Sequence, residues 1–149
     1  MEYTLRAATD ADYEFLYRLD VATMRDHVIR AFGRWDEGLH ARLFRERFDL
    51  SKVRIVMVAE QAVGMLETAT TDTEVVLSNI RIAPTYQRWG LGTAIVSDLV
   101  ADAHRARRSV RLRVLKVNPA RSLYERLGFT VVAEQPAHYV MRTFPSTLR

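Results

Sequence analysis

The chain has 149 residues, with 48% hydrophobic and 27% charged, so it suits one domain with a buried core and a solvated surface. It contains no cysteine, which excludes disulfides, thiolate metal sites and a cysteine nucleophile. The 22 Lys and Arg against 18 Asp and Glu leave a net charge of +4, too small a surplus to point to nucleic acid rather than to an Arg-rich surface.

The N-terminus, Met1 to Arg6, lacks the basic region and apolar stretch of a signal peptide, and no apolar run reaches the length of a membrane span, so a cytoplasmic protein with no membrane partner is expected. Tyr3 to Ala7 reads as a short strand. Thr9 and Asp12 form a [ST]-x-x-[DE] cap opening a helix that carries Phe15, Leu16 and Leu19. Met24, Val28, Ile29 and Phe32 keep helical spacing, Gly33 breaks it, and Leu39, Leu43, Phe44 and Phe48 resume it.

Arg54 to Ala59 then reads as a strand, Glu60-Gln61 as a turn, Ala62 to Thr70 as a second strand, and Val75 to Ile82 as a third, stopped by Pro84. Gly92 to about Arg105 is helical, with Ile95, Val96, Leu99 and Ala103 on one face. Ser109 to Val117 is a strand whose apolar phase slips after Val114, which predicts a bulge or bend. Ala120 to Leu127 is a short helix closed by Gly128, with Leu123 and Leu127 facing inward, and Thr130 to Glu134 pairs with His138 to Thr143 around Gln135-Pro136. The order predicts a mixed α+β sheet covered by helices.

Two stretches carry chemistry. In Leu77 to Thr93 a strand runs into a loop that opens a helix. Gly90 and Gly92 allow close approach to the backbone, and the unpaired N–H groups of a helix start favour a diphosphate. Gln87 and Arg88 add side-chain donors. Taken alone, a Gly-x-Gly before a helix fits a tight turn as well as a phosphate cradle; the Walker A ending and the third glycine of a dinucleotide fingerprint are both absent. The second stretch is Asn118 to Phe129, with Asn118 as helix cap, Pro119 at the first helical position, and Tyr124 one residue off the Leu123–Leu127 stripe, projecting from the helix edge.

Gln87-Arg88-Trp89-Gly90-Leu91-Gly92 resembles the [Gln/Arg]-x-x-Gly-x-[Gly/Ala] acyl-coenzyme A motif of the GNAT superfamily of N-acetyltransferases. Asn118 to Phe129 is similar to that family's Asn-x-x-Ala…Leu-Tyr-x-x-x-Gly-Phe segment. The resemblance covers nearly the whole chain. It implies a single domain over residues 1–149, with a mostly antiparallel sheet of six or seven strands, a splayed strand pair and about four helices.

It also implies acetyl-coenzyme A as co-substrate and no metal; the four histidines, His27, His40, His104 and His138, show no ligand spacing. By resemblance, the backbone of Asn79, Ile80, Arg81 and Ile82 pairs with the pantetheine arm. Arg88, Trp89, Gly90, Leu91, Gly92 and Thr93 hold the diphosphate, Asn118 contacts the arm, and Tyr124 protonates the departing sulfur. A backbone N–H near Ile82 would steady the thioester oxygen during direct attack by a neutral amine.

Glu67 and Glu74 are the candidate bases, Glu67 preferred as farther from a turn, with Asn79 or a water chain as substitutes. Arg81, Arg111 and Arg113 stand where many family members place a glutamate. By resemblance, acceptor choice falls to residues 24–37. There Trp35, His27 and Asp36 are expected to line a pocket and Asp26 or Glu37 to attract a cation, against a packing role for Trp35 and a solvated face for the acids, while Arg81 in the cleft would favour a carboxylate. The acceptor stays open among a small amine, an amino acid derivative, and a peptide or protein N-terminus; a homodimer through the sheet edge or terminal hairpin is common in the family. A noncatalytic acyl-coenzyme A sensor of the same fold is the alternative. A nucleic-acid module using Arg105 to Arg113 ranks last, since no accompanying motif supports it.

Overall fold

The computed structural model describes residues 2–146. It contains seven strands in one sheet, ordered β1-β2-β3-β4-β5-β7-β6, with four α-helices. The chain divides into two compact units, Met1–Glu67 with Asn79–Leu91, and Thr68–Ser78 with Gly92–Arg149.

In the first unit, β1 (Thr4–Ala7) pairs antiparallel with β2 (Val53–Val58), which pairs with β3 (Gln61–Thr70). The β2–β3 turn is Ala59-Glu60, one residue earlier than the sequence suggests. Both residues have positive φ, 49° and 68°, which is the backbone hand that matches strand twist in a two-residue hairpin.

Asp12 organises the entry to the first helix. Its carboxylate accepts from the Thr9 N–H at 2.8 Å and from both terminal nitrogens of Arg6 at 2.9 Å. This charge-assisted fork holds the Asp12 carboxyl down at about 2, chiefly through Arg6. Helix α1 (Tyr13–Phe32) then runs unbroken for 20 residues to Gly33, whose φ of 80° ends it. Helix α2 (Glu37–Arg47) is capped by Asp36, which accepts from the Leu39 N–H at 3.0 Å.

Leu16, Val53 and Ile55 are buried together, with Phe15, Phe44, Phe48 and Met65 packed around them. The apolar stripe read along α1 is only partly used: Phe32 is 79% exposed and Ile29 also faces solvent, as does Leu39 of α2.

In the second unit, β4 (Glu74–Ile82), whose residues from Asn79 on belong to the first unit, pairs parallel with β5 (Ser109–Leu115) over Glu74↔Ser109 to Leu77↔Leu112. β4 extends to Ile82, past that register. β5 pairs antiparallel with β7 (His138–Thr143), and β7 with β6 (Thr130–Glu134). Helix α3 (Leu91–Arg105) buries Leu91, Ile95, Val96 and Ala103.

The bulge expected in β5 is absent. Its register with β7 is regular from Val110 to Leu115, and the strand ends there, with Asn118 N–H donating to Leu115 O in a turn. Val117, read as strand, is 77% exposed in that turn. The phase slip marks the chain leaving the sheet; register shifts lie instead at Val56/Met57 and Val131/Ala133. Helix α4 (Ala120–Arg126) has no fully buried residue, so Leu123 and Leu127 contribute only partial burial.

Candidate active site

Beyond Ile82, Pro84 ends the strand and starts a 3-10 turn, Pro84–Trp89, where the sequence suggests an irregular loop. Gln87, expected as a ligand donor, uses its amide nitrogen to donate to Ile82 O at 2.9 Å, pinning the turn to the strand end. Gly90 closes the turn with φ 74°, and no atom lies within 4 Å of where its Cβ would stand. A side chain there would be strained by its backbone, not by crowding.

Buried Leu91 anchors the start of α3. The first turn of α3 carries no acidic residue. Its N–H groups lack intrahelical partners and stand at the positive end of the helix dipole. Arg88 and Thr93 are exposed beside them. Open space over Gly90, a helix start and absent acids together fit an anionic diphosphate.

One determinant of this region escaped sequence reasoning. A Cβ on Gly64 would stand 2.5 Å from Arg81 O and 2.9 Å from Ile82 Cδ1. Only glycine lets β3 lie this close to residues 81–82, so Gly64 helps set where Ile80, Arg81 and Ile82 run. Nothing in the local spelling around Gly64 announces the contact.

In the second unit, Asn118 Oδ1 accepts from Ala120 N–H at 2.9 Å, so Asn118 caps the start of α4. Tyr124 is half-buried, its ring edge-on to Phe129 at 5.7 Å, and Phe129 is itself buried. That packing fixes the ring while the hydroxyl sits at its far end.

The first unit also holds a cavity of about 320 Å³. Its helical wall includes Asp20 and Met24 of α1 and His40 and Phe44 of α2; its strand wall includes Glu67 of β3 and Asn79 and Arg81 of β4. Asn79 Nδ2 donates to Glu67 Oε1 at 2.9 Å. Oε2 of Glu67 makes no hydrogen bond to a described residue.

Of the acceptor residues read from the sequence, only Arg81 and Met24 line this cavity. Trp35, His27, Asp36, Asp26 and Glu37 stand outside its wall, and the physical reason is visible for three of them. Asp36 is spent as the α2 cap. Glu37 accepts from Trp35 Nε1 and, at 3.0 Å, from Tyr17 OH; these two bonds, in that order, hold its carboxyl below the usual range.

Glu74, the other candidate base, is committed to the sheet surface. It accepts from Arg111 at 3.1 Å and from Arg142 at 3.4 Å. The dense basic run is likewise engaged: Arg105 with Asp102, Arg108 with Thr71 O, and Arg113 with Gln135.

The family model of the GNAT acetyltransferase domain matches residues 22–142. The chain belongs to the GNAT acetyltransferase family. It is an acyltransferase, and specifically an N-acetyltransferase. The ribosomal protein bS18-alanine N-acetyltransferase of Haemophilus influenzae is 34% identical over 129 residues, covering 86% of this chain and 82% of that protein.

Solved structures share the fold. The PaiA N-acetyltransferase of Thermoplasma acidophilum, solved in complex with coenzyme A, superposes with a TM-score of 0.77 at 16% identity, over 97% of this chain and 99% of that one. The ribosomal-protein-S18-alanine N-acetyltransferase of Escherichia coli gives 0.67 at 22%, over 99% and 97%. No helix among the described residues of the acetyltransferase is long and apolar enough to cross a membrane.

Proposed function

We propose that residues 1–149 act as one domain that acetylates a primary amine by direct attack within a ternary complex. The observation that carries this reading is the Glu67–Asn79 pair on the wall of a cavity in a chain that also has the glycine loop before α3. Acetyl-coenzyme A, when bound, supplies an acetyl group activated as a thioester.

The N–H groups from Arg88 to Thr93, with the Arg88 side chain, would hold the diphosphate, and the main chain of Ile80, Arg81 and Ile82 the pantetheine arm, with Asn118 as a further contact. Gln87 and Gly90 shape the loop that presents those donors. A backbone N–H near Ile82 steadies the thioester oxygen. The Tyr124 hydroxyl passes its proton to the departing sulfur.

Glu67, oriented by Asn79, is the carboxylate against which the acceptor's ammonium docks. The cavity is at the small end of ligand sites, roughly 300–1,000 Å³, so it suits the amine-bearing end of an acceptor. The Haemophilus relative acts on an alanine of a ribosomal protein, which favours a peptide or protein N-terminus over a free small amine.

The test is free-thiol release from acetyl-coenzyme A with a panel of N-terminal peptides and small amines. Turnover with saturation in both substrates supports the reading. Tight coenzyme binding without turnover on any amine would make the chain a binding module instead.

A further inference from the structure

An ammonium docked on Glu67 is stabilised in its charged form, because a neighbouring opposite charge favours ionisation. It must still lose a proton before it can attack. A carboxylate, ordinarily titrating near about 4.3, is a weak proton acceptor at neutral pH; an imidazole near about 6.5 is better matched.

The same cavity contains one. His40 Nε2 lies 2.5 Å from Asp20 Oδ2, and the two side chains are only 20% and 21% exposed. An ionised carboxylate can only accept, so Nε2 carries the hydrogen and donates it. In the neutral ring the lone pair is therefore on Nδ1, and Nδ1 makes no hydrogen bond to a described residue. Trp35 packs on the His40 ring at 4.3 Å between centroids, and Tyr17 lies at 6.1 Å. The imidazole is thus held in one tautomer and one plane, with its basic nitrogen unspent.

We propose that His40, oriented by Asp20, is the proton acceptor for the acceptor amine. This rests on the acetyltransfer reading above. One N–H of the ammonium is held by Glu67 Oε2, and another gives its proton to His40 Nδ1, directly or through one water. The freed nitrogen lone pair forms the C–N bond as the C–S bond breaks, and the sulfur's electron pair takes the Tyr124 proton. The nitrogen, now bonded to the acyl carbon, sheds its second proton through solvent to the Tyr124 phenolate, and the imidazolium, neutralised by Asp20, returns the first to solvent; the net yield is amide, free thiol and one proton.

The charged or titratable groups around the pair are Tyr17 on α1, Glu37 and Arg47 on α2, and Asp49 in the turn after α2. On the strand wall they are Glu67 and Arg81. All six are left in place by the substitutions that test the idea.

The experiment measures steady-state kinetics of the full chain, wild type against His40→Gln and Asp20→Asn, from about pH 5.5 to 9.5, with a strongly basic and a weakly basic amine. With the basic amine, His40→Gln is expected to lower kcat about 10²- to 10⁴-fold with the KM for acetyl-coenzyme A unchanged. The pH profile of the variant should then follow the ionisation of the amine itself. The deficit should shrink for the weakly basic amine, which arrives already neutral, a rescue that a merely structural role would not give.

Asp20→Asn, which leaves the ring in place, should show the same pattern more weakly. Wild-type kcat and pH profile in His40→Gln overturn the proposal, as does an equal loss with both amines. If the acetyltransfer reading itself is wrong, wild type turns over no amine, an outcome distinct from either.

Discussion

Asn79 Nδ2 donates to Glu67 Oε1 at 2.9 Å across neighbouring strands, and both residues line the cavity. The amide orients the carboxylate without neutralising it. Glu67→Gln is expected to remove a charge-assisted hydrogen bond to the acceptor, about 1.5–3 kcal/mol, and so to lower kcat/KM for the amine roughly 10- to 100-fold. Coenzyme affinity should be unchanged by calorimetry. Asn79→Ala should act in the same direction and by less.

Tyr124→Phe keeps the edge contact with Phe129 and removes only the hydroxyl. Loss of a general acid is expected to lower kcat about 10²- to 10⁴-fold while coenzyme binding and melting temperature hold. Single-turnover thiol release reads the chemical step directly. Unchanged turnover would remove Tyr124 from the chemistry.

Glu74 is the contrasting carboxylate. Arg111 and Arg142 stand opposite each other in the β5–β7 register, and Glu74 accepts from both. Like charges directly opposite are destabilising. Glu74→Gln should therefore cost about 1 kcal/mol in urea denaturation and leave kcat/KM of the folded enzyme intact, the reverse of the Glu67→Gln pattern.

Much of the site near α3 is legible in the sequence because it is local. Gly90, the first turn of α3 and the Asn118 cap are set by residues within a few positions of one another. The element order survives for the same reason: helical and strand periodicities are read over short windows. What is not legible depends on long-range pairing. Asp20 and His40 are brought together by two helices, Glu67 and Asn79 by two strands, and Gly64 is needed because of a carbonyl on Arg81.

Glu74 and Glu67 look alike in the chain, two strand carboxylates, and differ only in what faces them. The β5 phase slip predicts a bulge or bend, whereas the strand ends at Leu115 and turns at Asn118. Trp35, expected as a pocket residue, and Glu37, expected to attract a cation, bond to each other, with Trp35 packed on His40.

Among the groups whose folded pKa values are depressed, the two more buried ones, Asp12 and His104, should carry the pH dependence of stability. Asp12 falls from 3.8 to about 2 through Arg6. Its contribution is full above the unfolded value and is lost as pH falls from about 4 toward 2. His104, which pairs with buried Thr143 at 2.8 Å, is pushed below 6.5 by burial. Protons bind the unfolded chain more readily there, so stability declines as pH drops below about 6.5. Urea midpoints at pH 7.5, 5.5 and 3 should step down in wild type. The first step should shrink in His104→Gln, and the second in Asp12→Asn, which should also cost about 1–2 kcal/mol at neutral pH.

The most direct test of the account is calorimetry of coenzyme A against wild type and Gly92→Asp. An acid in the first turn of α3 favours the helix through its dipole while repelling a diphosphate. The account predicts a saturable heat for wild type, affinity at least about tenfold weaker in the variant, and a melting temperature equal or higher. Absence of heat in wild type, or equal affinity in a folded variant, would contradict it.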